Sequence, residues 1–220
     1  MTHSDRLSKS IDRLEHEHAV FLSKFEGLSQ VQLDYRTSRN SWSIGQVAHH
    51  VGLSEGVWQG YLRSLLKGGN RAKGATLRVS LRDVPFSSRV IPDFILNSPL
   101  VVAPITIFIN LLPRPVQSMF FAVPLLKMDS GPRMQPKLGM PRAQILKLLS
   151  DTRKATLDLL APVENWDLTH FRIQHPLVGD QDVHGILELL SSHEQRHAQQ
   201  VDSIKKSLHF PNQEKQAQNQ

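Results

Sequence analysis

The chain has 220 residues, 40% of them hydrophobic and 6% aromatic, with a formal net charge of +6 and no cysteine. That length suits one core better than two, and the missing thiol excludes disulfides and thiolate ligands, so any thiol chemistry would need a thiol brought by a cosubstrate. The first 18 residues are charged and amphipathic without an uninterrupted apolar stretch, which reads as a chain with no signal peptide and sets the expectation of a cytoplasmic location.

Leu7, Ile11, Leu14, His18, Phe21, Phe25 and Leu28 recur every three or four residues and predict a first helix over about residues 4–28. His18 lies on that stripe and reads as a packed histidine, the runner-up among candidate ligands. Residues 31–41 are polar and turn-like. Ser43 with Gln46 three residues on forms a capping box that opens a second helix at Ile44. It runs to about residue 66 with its stripe through Val47, Val51, Ser54, Val57, Trp58, Tyr61 and Leu65. His50 falls within this stripe, whereas His49 points about 100° away from it.

Lys67, Arg71, Lys73, Arg78, Arg82 and Arg89 follow, opposed there only by Asp83. Such a patch could draw an anionic substrate, nucleic acid or an acidic membrane surface. No zinc-finger, helix-turn-helix or aromatic ribonucleoprotein motif accompanies it, so it reads as a solvated connection and nucleic acid is not expected as a partner. Residues 100–112 form a nearly continuous apolar run between Pro99 and Pro113, and residues 119–126 are apolar again. The first run falls short of the roughly 20 residues a bilayer needs, and Pro104 and Asn110 interrupt it. One or two buried or partly exposed helices are expected, not a membrane span, with a membrane-surface role as the minority alternative. Residues 129–139, with Gly131-Pro132-Arg133 and Lys137, lack periodicity and read as a loop edging a site's mouth.

Pro141 opens a third long helix at its first turn, where a missing N–H costs nothing, and Ile145, Leu148, Leu149, Thr152, Leu157 and Leu160 supply its apolar side. Pro162-Val163 ends it. Asp182 is placed to N-cap the last helix, running to about residue 208 with the stripe Ile186, Leu190, His193, His197, Val201 and Ile204. Residues 1–208 thus read as one domain, with 68–140 an elaborated connection and 209–220 a polar tail. No Gly-rich phosphate loop and no nucleophile elbow for Ser-His-Asp catalysis is present.

Chemistry concentrates in His193-Glu194-Gln195-Arg196-His197. Two histidines at i and i+4 put both imidazoles on one helical face, where they can share a divalent cation. The letters also spell H-E-x-x-H, the zinc-peptidase signature, in which Glu194 would activate a metal-bound water. That signature needs a third ligand. Gln200 and Ser203 stand where its extended form wants Gly and His, and His209 and Glu214 lie in the polar tail. His50 makes a third histidine on an inward stripe. Each alone is most simply a core histidine with a hydrogen-bond partner, but several imidazoles in one apolar layer are costly unless something such as a metal takes their lone pairs.

Trp42-Ser43-Ile44-x-Gln46-Val47-x-x-His50, followed far downstream by His193-x-x-x-His197-x-x-Gln200, resembles the DinB-like superfamily of metal-binding four-helix bundles, which includes the YfiT-like proteins. His175-Pro176-Leu177-Val178-Gly179 matches a pattern of one branch. The resemblance spans about residues 5–205, and the stretch between 68 and 140 departs from the short members. It implies an all-α four-helix bundle with an elaborated connection between the second and third bundle helices. It implies His50, His193 and His197 as ligands of a divalent metal ion, zinc, nickel or manganese, with water or substrate in the open positions. The implied activity is that of a metal-dependent hydrolase or of a transferase adding a low-molecular-weight thiol to an electrophile, acting on a small-molecule substrate. A homodimer fits the same reading. The rivals are a non-catalytic, metal-stabilised binding protein and, within enzymes, the zinc peptidase with Glu194 as catalytic base. Gln200, Tyr61 and His49 are near enough by helical spacing to orient the ligands.

Overall fold

A computed structural model describes residues 2–69, 71, 73–79, 87–88, 128–129, 132–175 and 178–211. Helix α1 (His3–Ser23) begins with a reciprocal cap, the Thr2 hydroxyl accepting from the Asp5 N–H and the Asp5 carboxylate accepting from the Thr2 N–H. It stops before its apolar stripe runs out, leaving Phe25 buried in the turn that follows. Ser29 and Gln32 form a second capping box, so the stretch expected as turn contains the short helix α2 (Gln30–Asp34). Ser43 and Gln46 cap α3 (Ile44–Gly68) as the sequence predicts.

The basic residues Lys67, Arg71, Lys73 and Arg78 are exposed, as a solvated connection should be. Arg82 and Arg89, the apolar runs 100–112 and 119–126, Pro176 and Leu177, and the tail from 212 lie outside the described residues. Pro141 is the N-cap of α4 (Arg142–Leu160) and not its first helical residue, and a 3-10 turn at Ala161–Val163 closes it. Asp182 caps α5 (Val183–Lys205), its carboxylate accepting from the Gly185 N–H at 2.8 Å. Helix α1 packs on α5, and α3 packs on both α4 and α5. Among the described residues no helix is long and apolar enough to cross a membrane.

The all-α expectation needs a correction, because the mostly helical fold carries a small sheet. Strand β1 (Ala75–Arg78) runs parallel to a later strand, and β2 (Ser87–Ser88) pairs antiparallel with β3 (Met128–Asp129). The three-stranded sheet has the order β1-β4-β5, where β4 (Phe171–His175) lies antiparallel to β5 (Gly179–Asp182) with Arg172 opposite Asp182. The cause is local. Phe171, Ile173 and His175 are buried in alternation with Arg172 and Gln174, the period of two that a half-buried strand requires. Gly179, at φ 76°, supplies the left-handed residue at the start of the returning strand.

Two apolar clusters fill the interior. One gathers Leu7, Leu14, Trp58, Leu62, Leu65, Leu160, Ile186, Leu187 and Leu190 with Phe171 and Ile173 of the sheet. The other gathers Phe21, Phe25, Ile44, Val47, Val51, Ile145, Leu149, Ala198, Val201 and Ile204. Between them, on each long helix in turn, lies a buried polar residue: His18, Glu55, Arg153 and Glu194. Arg153 donates from Nε to Glu55 Oε1 at 3.0 Å, from Nη2 to Glu194 Oε2 at 3.0 Å and from Nη1 to the Leu14 carbonyl at 2.7 Å. His18 Nδ1 pairs with Glu194 Oε1 at 2.7 Å. Thr156 donates to Glu55 Oε1 at 2.7 Å and accepts from Gln59. Burial works against the Arg153 charge, but Glu194 and then Glu55 outweigh it and raise its pKa.

Removing one member of such a network leaves its partners charged and dry. Arg153→Ala should lower the unfolding free energy in urea by about 3–5 kcal/mol, whereas replacing the trio together, with Arg153→Met, Glu55→Gln and Glu194→Gln, should cost far less.

Candidate metal centre

Helices α3 and α5 face each other, and their stripes bring His50, His193 and His197 together. One ring nitrogen of each lies within 4.8 Å of the others. Ring centroids stand 5.2 Å apart for His50 and His193, 5.1 Å for His50 and His197, and 4.4 Å for His193 and His197. His50 and His197 are buried and His193 is half-buried. Trp42 packs its ring 4.8 Å from that of His50.

Hydrogen bonds fix which nitrogen two of the rings present. His50 Nδ1 lies 3.0 Å from the Met134 carbonyl oxygen, which can only accept, so Nδ1 carries the proton and Nε2 the lone pair. His197 Nδ1 lies 2.8 Å from Gln200 Oε1, with the same consequence. The lone pairs of His50 and His197 are thus on their Nε2 atoms. His197 Nε2 stands 3.1 Å from His193 Nε2 and accepts from Arg196 Nη2 at 3.0 Å, while Ser54 Oγ is 3.4 Å from His50 Nε2. A carbonyl or amide oxygen behind a ligating imidazole is the usual way of setting tautomer and ring orientation at a metal. The donor set therefore fits a divalent cation of the kind imidazole favours.

The three rings are held neutral. Burial pushes the His50 pKa down to about 4, against the opposing bond to Met134 and helped by the charge of Arg196. Burial first, then the neighbouring imidazoles and Arg196, hold His193 well below its ordinary value, and burial with Arg196 and His50 does the same for His197. Neutral imidazoles are the form a metal requires.

The other candidates fall elsewhere. Glu194 is turned into the polar layer, one carboxylate oxygen on His18 and the other on Arg153. His18 is accordingly the packed histidine that its stripe suggests. His49 is buried as well, and its Nδ1 accepts from the Lys137 N–H at 3.0 Å. Of the expected orienting residues Gln200 bonds a cluster histidine, whereas Tyr61 sits with Trp58 and His175, 5.6 and 6.1 Å away between ring centroids. The loop 132–137 does edge the site, held by His50 at Met134 and by His49 at Lys137. The Met134 contribution is a backbone oxygen, for which no side-chain pattern exists to read.

The sequence model of the DinB superfamily matches residues 13–201. No curated protein and no solved structure matches the chain.

The depressed imidazoles make stability depend on pH. Histidines of the unfolded chain take up protons near pH 6.5, but His50 and the equally buried His175 do so only at about 4 when folded. Between those values the unfolded state binds more protons, so stability is full above pH 7 and falls as the pH drops from 6.5 towards 4. In urea titrations of metal-free protein between pH 5 and 6, His50→Gln should reduce this slope by up to about 1.4 kcal/mol per pH unit. An unchanged slope would show that His50 protonates as freely in the folded protein as in the unfolded chain.

Proposed function

The chain belongs to the DinB superfamily, and from there we propose that its four long helices form that family's bundle around one divalent metal ion held by His50, His193 and His197. The function is chemistry on a small molecule at that ion, as a metal-dependent hydrolase or as a low-molecular-weight-thiol S-transferase. The observation that carries the metal reading is the convergence of ring nitrogens from two helices, with the Nε2 lone pairs of His50 and His197 fixed by acceptor oxygens at Nδ1. Imidazole serves zinc and nickel well, and manganese, which favours oxygen ligands, is the third candidate.

Three neutral ligands leave a bound cation its full charge, and the chemistry it supplies is Lewis acidity, lowering the proton affinity of a water or thiol brought to it. The residues of the chain do the rest. Met134 and Gln200 hold the His50 and His197 rings in one tautomer. Trp42 packs, tilted, against the His50 ring. Among the described residues no fourth histidine or carboxylate joins the cluster, which favours a site with positions left for a ligand over a closed structural one. The absence of cysteine means that a reacting thiol would come from a cosubstrate.

What argues against the peptidase is the use made of Glu194. A general base has to reach the proton it abstracts, and both Glu194 oxygens are engaged by His18 and Arg153 in the interior. Its role in this reading is internal, as the ion partner of Arg153.

Elemental analysis of purified variants tests the ligand set. His50→Ala, His193→Ala and His197→Ala should each lose most of the metal, and His49→Ala should keep it. Gln200→Ala should weaken metal binding by about 10- to 100-fold, the usual effect of removing a residue that orients a ligand. Normal metal content in His50→Ala would remove the third ligand and with it this reading.

A further inference from the structure

The Nε2 lone pair of His197 faces the Arg196 guanidinium, the His193 ring and any cation that the cluster takes up. Its Nδ1–H is committed to Gln200, so Nε2 is the only nitrogen left to accept the Arg196 guanidinium at 3.0 Å. An imidazole nitrogen that coordinates a cation has no second lone pair for a hydrogen bond. Metal in the cluster would therefore take this acceptor away from Arg196.

Nothing nearby replaces it. Among the described residues no carboxylate lies within ion-pair distance of Arg196: Glu194, two positions before it, is held by Arg153 and His18, and Glu55 by Arg153 and Thr156. The three histidines are neutral. The loop fastened to His49 and His50 adds only cations, since residues 132–140 contain Arg133 and Lys137 and no carboxylate. A divalent cation beside the guanidinium would thus leave several positive charges a few ångströms apart without compensation, a repulsion that partial shielding from water strengthens. Arg196 is exposed as a residue, while its guanidinium reaches back to the cluster, where burial lowers its pKa. An anion resolves both deficits, giving the guanidinium a charged acceptor and the cation a counter-charge.

We propose that Arg196 is the anion-binding residue of the three-histidine site, and that the small molecule handled there presents to it a negatively charged oxygen or sulfur. The proposal rests on the metal reading of the three histidines and narrows its substrate to carboxylates, phosphates or thiolates. Neutral esters and amides without such a group lack the feature that Arg196 recognises. Glu194 and Arg196 then differ in kind, the former spent inside the protein and the latter directed to the ligand.

Cobalt-loaded protein, read by its visible spectrum, tests this with probes of known charge. Wild type, Arg196→Gln and Arg196→Lys would be titrated with acetate, inorganic phosphate, 2-mercaptoethanol and azide, and with neutral imidazole as the uncharged control. Arg196→Gln should weaken the anion that the site prefers by about tenfold or more, the worth of a charge-assisted hydrogen bond. Imidazole affinity should stay within about twofold of wild type, and Arg196→Lys should recover part of the anion binding. The arm with the largest loss identifies the charged group as carboxylate, phosphate or thiolate. Cobalt bound normally while anion affinity is unchanged in Arg196→Gln, or falls together with imidazole affinity, overturns the role of Arg196 and leaves the metal site standing. Failure of the wild type to bind cobalt, nickel or zinc overturns the metal reading, and this proposal with it.

Discussion

Arg153 is the constraint on which the arrangement of the helices depends. From α4 it bonds a carboxylate of α3, a carboxylate of α5 and a backbone carbonyl of α1, so one guanidinium touches each of the other three long helices. Hydrophobic burial tolerates small rotations and slides of one helix on another, because apolar contact is non-directional. A fork of donors in a plane does not. With apolar clusters on either side, the layer His18, Glu55, Arg153 and Glu194 acts as a register mark: any slip by a residue in one helix would bury an unpaired charge. Buried ion pairs are weak evidence for net stability, and the best-attested use of one is this kind of specification.

The same layer sets the geometry of the three-histidine cluster. Glu194 is fixed by Arg153 and His18, and it is the immediate neighbour of His193 on α5. Fixing its direction fixes the rotation of that helix about its axis, and therefore the direction in which His193 and His197 point. Glu55 does the equivalent for α3, where His50 lies five residues earlier. The two helices are thus clamped at one level through Arg153 and meet at the next level through imidazoles. Precision of this kind is what a metal site needs, since ligands have to be held by surrounding bonds and not left to find their own rotamers.

The polar cluster is also closed off from its charged support. Arg153 has two carboxylates and is fully compensated, so its charge does not reach the histidines as a free cation, whereas Arg196 contributes to lowering all three of their pKa values. Two arginines and two glutamates lie near one another along the helices, but the pairing is unequal, with both glutamates given to Arg153. Burial, not charge, remains the larger cause of the neutral imidazoles. The loop 132–137 adds the last element, the Met134 carbonyl oxygen at the end of a 3-10 turn, an acceptor behind His50 supplied from outside the long helices.

Much of this was legible in the chain itself, for reasons that also mark where legibility ends. The capping box at Ser43, the N-cap at Asp182, the stripes of the long helices and the inward placement of His50, His193 and His197 follow from spacing alone, since period and cap chemistry act within a few residues. The strand Phe171–His175 escaped because five residues of alternation are too short to stand out beside a family pattern that is helical. Glu55 and Arg153 carried a signal that was there to be read. Each replaces an apolar residue on a buried stripe, Glu55 between Val51 and Trp58, and Arg153 between Leu149 and Leu160. A charge at such a position announces a partner, since it cannot stay there alone. Glu194 shows the limit most clearly. Its letters fit H-E-x-x-H in either use, and only the positions of His18 and Arg153, both distant in sequence, decide that its carboxylate faces the interior. Local pattern says that two histidines share a face, but the partners of the residue between them are set by tertiary packing.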